Sequence, residues 1–291
     1  MTTNYKHINK DMIKCGDYIT SNTGTLGLGD VSYNQTNNAP ITIASPYYSA
    51  NDFLVTTCIY DQTSSGFKSI STFKDNDGNL GGPFNNGTIY YLSVDNEAIQ
   101  NYKYNGKPII QAGTFTTSSN GTITETFSNA FENAPIVVVC PNGTGYAIIT
   151  CRIYQTTTTS FDVISYFKDG SNGENGGGVY SGGSFNYIAV DSTAIDKYKL
   201  NDNPIIKCGT FTTNTNGTIT TATTPSLGFP TGANVRVFCS PRGNNINLVT
   251  CNIVSVSPST FTVLAVYKDG RNGENGGGTW DGNFNYIAVQ I

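Results

Sequence analysis

One glycine-rich segment occurs twice, as KDGSNGENGGG at 168–178 and KDGRNGENGGG at 268–278, and it gathers the side chains best suited to hold a ligand. Asp169, Asn172 and Glu174, like Asp269, Asn272 and Glu274, offer the hard oxygen atoms that calcium takes, though not at EF-hand spacing. The same groups beside an aromatic ring suit a sugar, because planar donors and acceptors meet hydroxyls while a ring stacks on the C–H face. The last copy supplies Asp269, Arg271, Asn272, Glu274, Trp280 and Asp281, and the middle copy has Tyr180 at the place of Trp280. A purely structural loop is the third reading, with glycine taking positive φ and Asp169, Asp269, Asn172 and Asn272 closing Asx turns.

Trp280 is the sole tryptophan, and its neighbours Gly278, Thr279, Asp281 and Gly282 are loop residues, which points to an exposed contact. Catalysis finds little support. A glycosidase needs two carboxylates held about 5 to 9 Å apart, and Asp169 with Glu174 would sit on a glycine-flanked loop that cannot fix them. GTLGLGD at 24–30 resembles a phosphate-cradling loop in composition only, since no helical pattern follows it. His7 is the only histidine, which excludes repeated His triads and HExxH zinc sites. The expectation is a binding protein that is not an enzyme and has no cofactor beyond a calcium ion in these loops.

The 291 residues are 12% charged, against about 25% in an ordinary soluble domain, and carry a net charge of −4 with no Lys/Arg cluster. That balance argues against nucleic acid. No apolar run approaches the ~20 residues that span a bilayer, and MTTNYKHINKDMIK has no apolar signal core, so neither membrane insertion nor secretion is expected. Seven cysteines without a CxxC pair fit free, buried thiols in a reducing compartment. Hairpin disulfides Cys140 to Cys151 and Cys239 to Cys251 are the alternative.

What must position these loops is a repeat. FNYIAV stands at 185–190 and 284–289, with YLSV at 91–94 in an earlier copy, and Gly16, Gly113 and Gly209 are 97 and 96 residues apart. Each of these glycines follows a Tyr-Lys pair (Tyr5-Lys6, Tyr102-Lys103, Tyr198-Lys199), so the connectors repeat as well. The boundaries are a linker copy at 1–12, modules at 13–94, 109–190 and 205–291, and linkers at 95–108 and 191–204. The linkers start with Asp, able to cap a short helical turn, and keep Ile99/Ile195 in step, which marks them as ordered connectors. Modules stacked end on end at a fixed pitch are expected.

Within a module, runs such as PIVVVC, AIITCRIY, SFDVISYFK and FNYIAV are β-branched and aromatic, bounded by Asn, Gly, Pro and Thr. In SFDVISYFK, Phe161, Val163, Ser165 and Phe167 alternate with Asp162, Ile164, Tyr166 and Lys168, so one face can be buried. Asn120-Gly121 and Asn216-Gly217, each between Thr-rich runs, predict an opening hairpin in modules two and three. The class is all-β: three tandem antiparallel β-sandwich modules of six or seven strands.

A module that opens on an Ile/Gly strand, has a Pro-hydrophobic strand after Phe131-Glu132-Asn133-Ala134-Pro135, continues through a Thr-rich pair and closes on aromatic-Ile-Ala-Val resembles the H-type lectin domain. That is the discoidin and snail-agglutinin family, with relatives at phage tail-fibre tips. The family's usual tryptophan in the closing strand is Tyr187 or Tyr286 here, so no particular sugar carries over. The resemblance implies a six-stranded sandwich, commonly trimeric, that binds sugars through loops at one end. The expectation is therefore a virion or tail-surface protein, made and assembled in the cytosol, homotrimeric, attached to other virion or tail proteins and recognising host glycans. A purely structural spacer or a soluble lectin are the rivals.

Overall fold

The evenly spaced glycines each lie opposite a tyrosine in an antiparallel strand pair: Gly16 with Tyr91, Gly113 with Tyr187, Gly209 with Tyr286. A Cβ at Gly113 would stand 2.7 Å from the Tyr187 ring, so the phenol lies across bare backbone and only glycine leaves it room. The structure is a computed structural model that describes residues 3–7, 10–26, 39–48, 53–75, 81–95, 99–145, 147–169, 176–197, 199–200, 202–244, 247–268 and 277–291. It is all-β, and among the described residues four sheets have three or more strands.

Counted by repeat, those four sheets resolve into six halves. In the first half the closing strand (Thr88–Val94, Ser184–Val190 or Asn283–Gln290) is flanked by two others. On one side runs the opening strand (Lys10–Ile19, Ile110–Thr116 or Ile206–Thr212), on the other a proline strand (Ile41–Tyr47, Ile136–Asn142 or Val235–Pro241). The second half pairs an inner strand (Phe53–Thr63, Ala147–Thr156, Leu248–Val256) with a return strand (Gly66–Asp75, Ser160–Asp169, Phe261–Lys268). A short strand (Gly81–Pro83, Gly177–Val179, Gly277–Thr279) borders each return strand. The Asn-Gly turns form, with Gly121 at φ 68° and Gly217 at φ 72°. In the second repeat, however, Thr122–Thr126 pairs with the return strand, so this turn carries the chain from one sheet to the other and makes no hairpin. The third repeat keeps a single antiparallel bridge, Thr213 with Ile219.

The halves then join between repeats. The end of each proline strand pairs in parallel with the inner strand of another repeat: Tyr47 with Ile253, Asn142 with Ile59, Arg242 with Ile153. Ile59, Ile153 and Ile253 occupy the same place in their repeats, so three equivalent pairings close a cycle. The expected end-on-end stack is thereby corrected: the repeats stand side by side about a common axis, each touching both others. Leu54, Ile148 and Leu248, again equivalent, pack together on that axis with Tyr166 and Val266. This also explains why Ser160–Asp169 alternates only at its start. Ser165, Tyr166 and Lys168 are all buried, because neighbouring repeats cover the face that would otherwise meet water.

Polar clasps also link the repeats. Thr56 Oγ1 accepts the amide of Ile149 (3.1 Å) and donates to its carbonyl (3.2 Å), and Thr150 does the same to Val249 (3.0 and 3.1 Å). Thr250, the third member, is buried with an unpartnered hydroxyl beside an axial cavity of about 60 Å³. Ser240 Oγ likewise bridges the amide and carbonyl of Val139 (2.9 and 3.2 Å), and Ser45 Oγ accepts from the Cys239 amide (3.4 Å). One apolar cluster consequently joins the first and third repeats with part of the second, while most of the second repeat packs a core of its own around Phe115, Phe127, Phe161 and Tyr187. Among the described connector residues, Ile99 and Ile195 are buried, and Asp191 Oδ1 accepts the amides of Thr193 and Ala194, both at 2.9 Å, capping the turn Ile195–Lys197. All seven cysteines are free thiols. No helix among the described residues is long and apolar enough to cross a membrane.

Candidate functional site

Trp280 is held at a boundary between repeats. Its amide donates to the Ala265 carbonyl (2.9 Å) and its carbonyl accepts from Thr213 Oγ1 (2.6 Å), which fixes the ring against Tyr267, edge to face at 5.4 Å. The Arg152 guanidinium of the second repeat lies 5.0 Å from the indole, and the indole Nε1 is buried. The expectation of an exposed ring is therefore corrected. Gly282 signalled packing: a Cβ there would stand 2.1 Å from Nε1, so the glycine makes room for the indole.

The other repeats contain the same device. Tyr180 receives the Thr117 hydroxyl on its carbonyl (3.0 Å), donates its amide to Ser165 (3.1 Å), and packs on Phe167 and Phe185 at 6.0 and 5.9 Å. Burial pushes its phenol above the usual range. Phe84 is the third equivalent, with Thr20 on its carbonyl, and sequence reasoning missed it because a phenylalanine beside Asn85-Asn86 carries no polar handle.

Of the remaining candidates, Asp281 is exposed, and Asp169 ends its return strand half-buried, its amide donating to Gly176 (3.3 Å). Asp269, Arg271, Asn272, Glu274, Asn172 and Glu174 lie outside the described residues. Among the described residues no group of three His, Cys, Asp or Glu side chains is placed to hold a metal ion. The stems of the glycine-rich loops are described, as is that of the degraded first-repeat copy KDNDGNLGG at 74–82. Lys74, Lys168 and Lys268 are the register partners of Leu54, Ile148 and Leu248, and all three lysines are buried and engaged. Because those three apolar residues touch on the axis, the loop stems converge at one end of the ring.

A cleft of about 420 Å³ opens in the first repeat, next to its boundary with the third, lined by Tyr47, Tyr48, Phe53, Phe73 and Phe84 with Asn85, Asn86 and Thr88. Tyr48 stacks on Phe53 (6.2 Å, 16°) and meets Phe84 edge-on (5.1 Å, 83°), and Tyr47 stacks on Tyr90 (4.9 Å). The Tyr48 amide donates to the Ile253 carbonyl (2.8 Å), which ties the cleft to the ring closure. The signal was present in the sequence: Tyr47-Tyr48 stands where the other repeats have Asn142-Gly143 and Arg242-Gly243. Comparison of the chain with family models, curated proteins and solved structures finds no match.

Proposed function

We propose that this chain is a non-enzymatic surface or receptor-binding protein of a virion or phage tail, recognising carbohydrate through the loops of its repeats. The observation that carries this reading is the convergence of the three loop stems around Leu54, Ile148 and Leu248. Binding residues are characteristically shown on loops raised from a rigid scaffold, and several weak sites on one rim gain strength together through effective concentration. Two small sheets per repeat, joined as opening, closing and proline strands against inner and return strands, also suit the H-type lectin resemblance. Burial of sheet faces about an axis, which trimers of separate chains achieve by association, is met here within one chain.

The packing of Trp280 on Arg152 favours a second reading, a structural spacer whose tryptophan serves a protein contact. A glycan array separates the two. The intact protein binds at least one glycan class, and the paired variants Asn172→Ala/Glu174→Ala and Asn272→Ala/Glu274→Ala weaken it. A blank array from protein that melts normally favours the spacer.

A further inference from the structure

We propose that the cleft in the first repeat, beside its boundary with the third, is a binding site for one neutral saccharide of one or two rings per chain. The proposal takes only its ligand class from the carbohydrate reading above; the site itself uses none of the loop residues Asn172, Glu174, Asn272 and Glu274. Its volume of about 420 Å³ falls in the range of small-molecule pockets, which are mostly apolar with a few placed polar groups. Five aromatic rings offer faces and edges to the C–H surface of a pyranose. Among the described residues, the carboxamides of Asn85 and Asn86 and the hydroxyls of Tyr47 and Tyr48 make no hydrogen bond, so donors and acceptors for sugar hydroxyls are idle at the mouth. Among the described residues no charged side chain lines the cleft, which suits a neutral ligand better than an acidic sugar or a phosphate.

The three boundaries have diverged, and this sets the stoichiometry. Tyr47, Tyr48 and Phe53 correspond to Asn142, Gly143 and Ala147 in the second repeat and to Arg242, Gly243 and Asn247 in the third, so one boundary alone has the extra rings. Opposite them, Asn252 takes the place of Arg152. Its amide nitrogen donates to the Phe53 carbonyl (2.8 Å), whereas Arg152 reaches over Trp280. The first boundary carries the extra rings, and the second a cation laid over an indole.

The test uses the full chain and a panel of D-glucose, D-galactose, their N-acetylamino forms, lactose and maltose, screened by saturation-transfer NMR, with calorimetry on the tightest binder. One sugar per chain is expected, weakened about tenfold or more in Tyr48→Ala and in Asn85→Ala and unchanged in Tyr154→Ser, an exposed site elsewhere. Asn85 is exposed, so that variant folds even if Tyr48→Ala does not. Three sugars per chain, or full affinity in both variants, overturns the cleft. A blank panel with a positive array also overturns it and leaves the loop reading standing. Binding lost in Tyr48→Ala and Asn85→Ala but untouched by the loop variants supports the cleft and retires the loops. A blank panel with a blank array overturns both.

Discussion

The guanidinium of Arg152 lies 5.0 Å from the ring of Trp280, across the boundary between the second and third repeats, and Arg152 is among the largest fully buried side chains of the described residues. Its Nη2 donates to the Arg242 carbonyl (2.9 Å) and its Nη1 to the Asn247 carbonyl (3.4 Å), so one cation ties together the start of an inner strand, the end of a proline strand and an aromatic anchor. Burial holds its pKa down to about 10, which still leaves it charged at neutral pH.

Arg152→Lys keeps the charge but loses the planar fork and the stacking, and should cost about 2 to 4 kcal/mol. Urea unfolding followed by fluorescence reads this directly, because the sole tryptophan reports on its own boundary. The emission of the folded variant should shift to the red. An unchanged midpoint and spectrum would mean that the indole is held without the cation.

The threonine clasps give an internal contrast. Thr150→Val removes both partners of the Val249 backbone and should lower stability by about 1 to 3 kcal/mol, and Thr56→Val should do likewise through Ile149. Thr250→Val removes a hydroxyl that has no partner and should be neutral or stabilising. Equal losses at all three positions in chemical denaturation would show that the third clasp is made in solution.

Gly113→Ala places a methyl group 2.7 Å from the Tyr187 ring. The ring must lift from the strand, at a cost of about 1 to 3 kcal/mol. The double variant Gly113→Ala/Tyr187→Leu should recover part of that loss, and a thermal melt of the three proteins checks it.

Alkaline pH should unfold the protein early. Burial pushes the Cys140 thiol and the phenols of Tyr187 and Tyr286 up to about 12, from ordinary values of 9 and 10. The unfolded chain releases these protons at about pH 9 to 10 while the folded chain keeps them. Their stabilisation is therefore complete below pH 9 and is lost as pH rises toward 12, by up to about 1.4 kcal/mol per pH unit for each group. Arg152 acts in the opposite direction above pH 10, one group against at least three. The midpoint of thermal unfolding should be flat from pH 7 to 8.5 and fall steeply beyond; a flat profile to pH 11 would contradict the burial of these groups.

The strand composition, the period of the repeats and the capping aspartate were legible because each is local. Val137 to Cys140 reads as a strand wherever it is placed, and Asp191 caps its turn with groups two and three residues away. The lateral arrangement was not legible. It rests on pairings such as Asn142 with Ile59, between residues far apart in sequence and with no shared pattern, and end-on-end stacking would use the same linkers. Trp280 misled for a related reason: glycine beside a large ring reads as a loop in sequence and as a vacated volume in space. The Tyr47-Tyr48 pair was visible as a departure from the other copies but had no meaning until the third repeat was seen to face it.

In an assembly of three identical chains, any substitution at a subunit contact is written three times and must suit every contact at once. Here the position shared by Cys58, Arg152 and Asn252 is written separately in each copy. Covalent continuity has released the boundaries from symmetry, so one can evolve toward rigidity while another is freed for recognition, without either spoiling its counterpart.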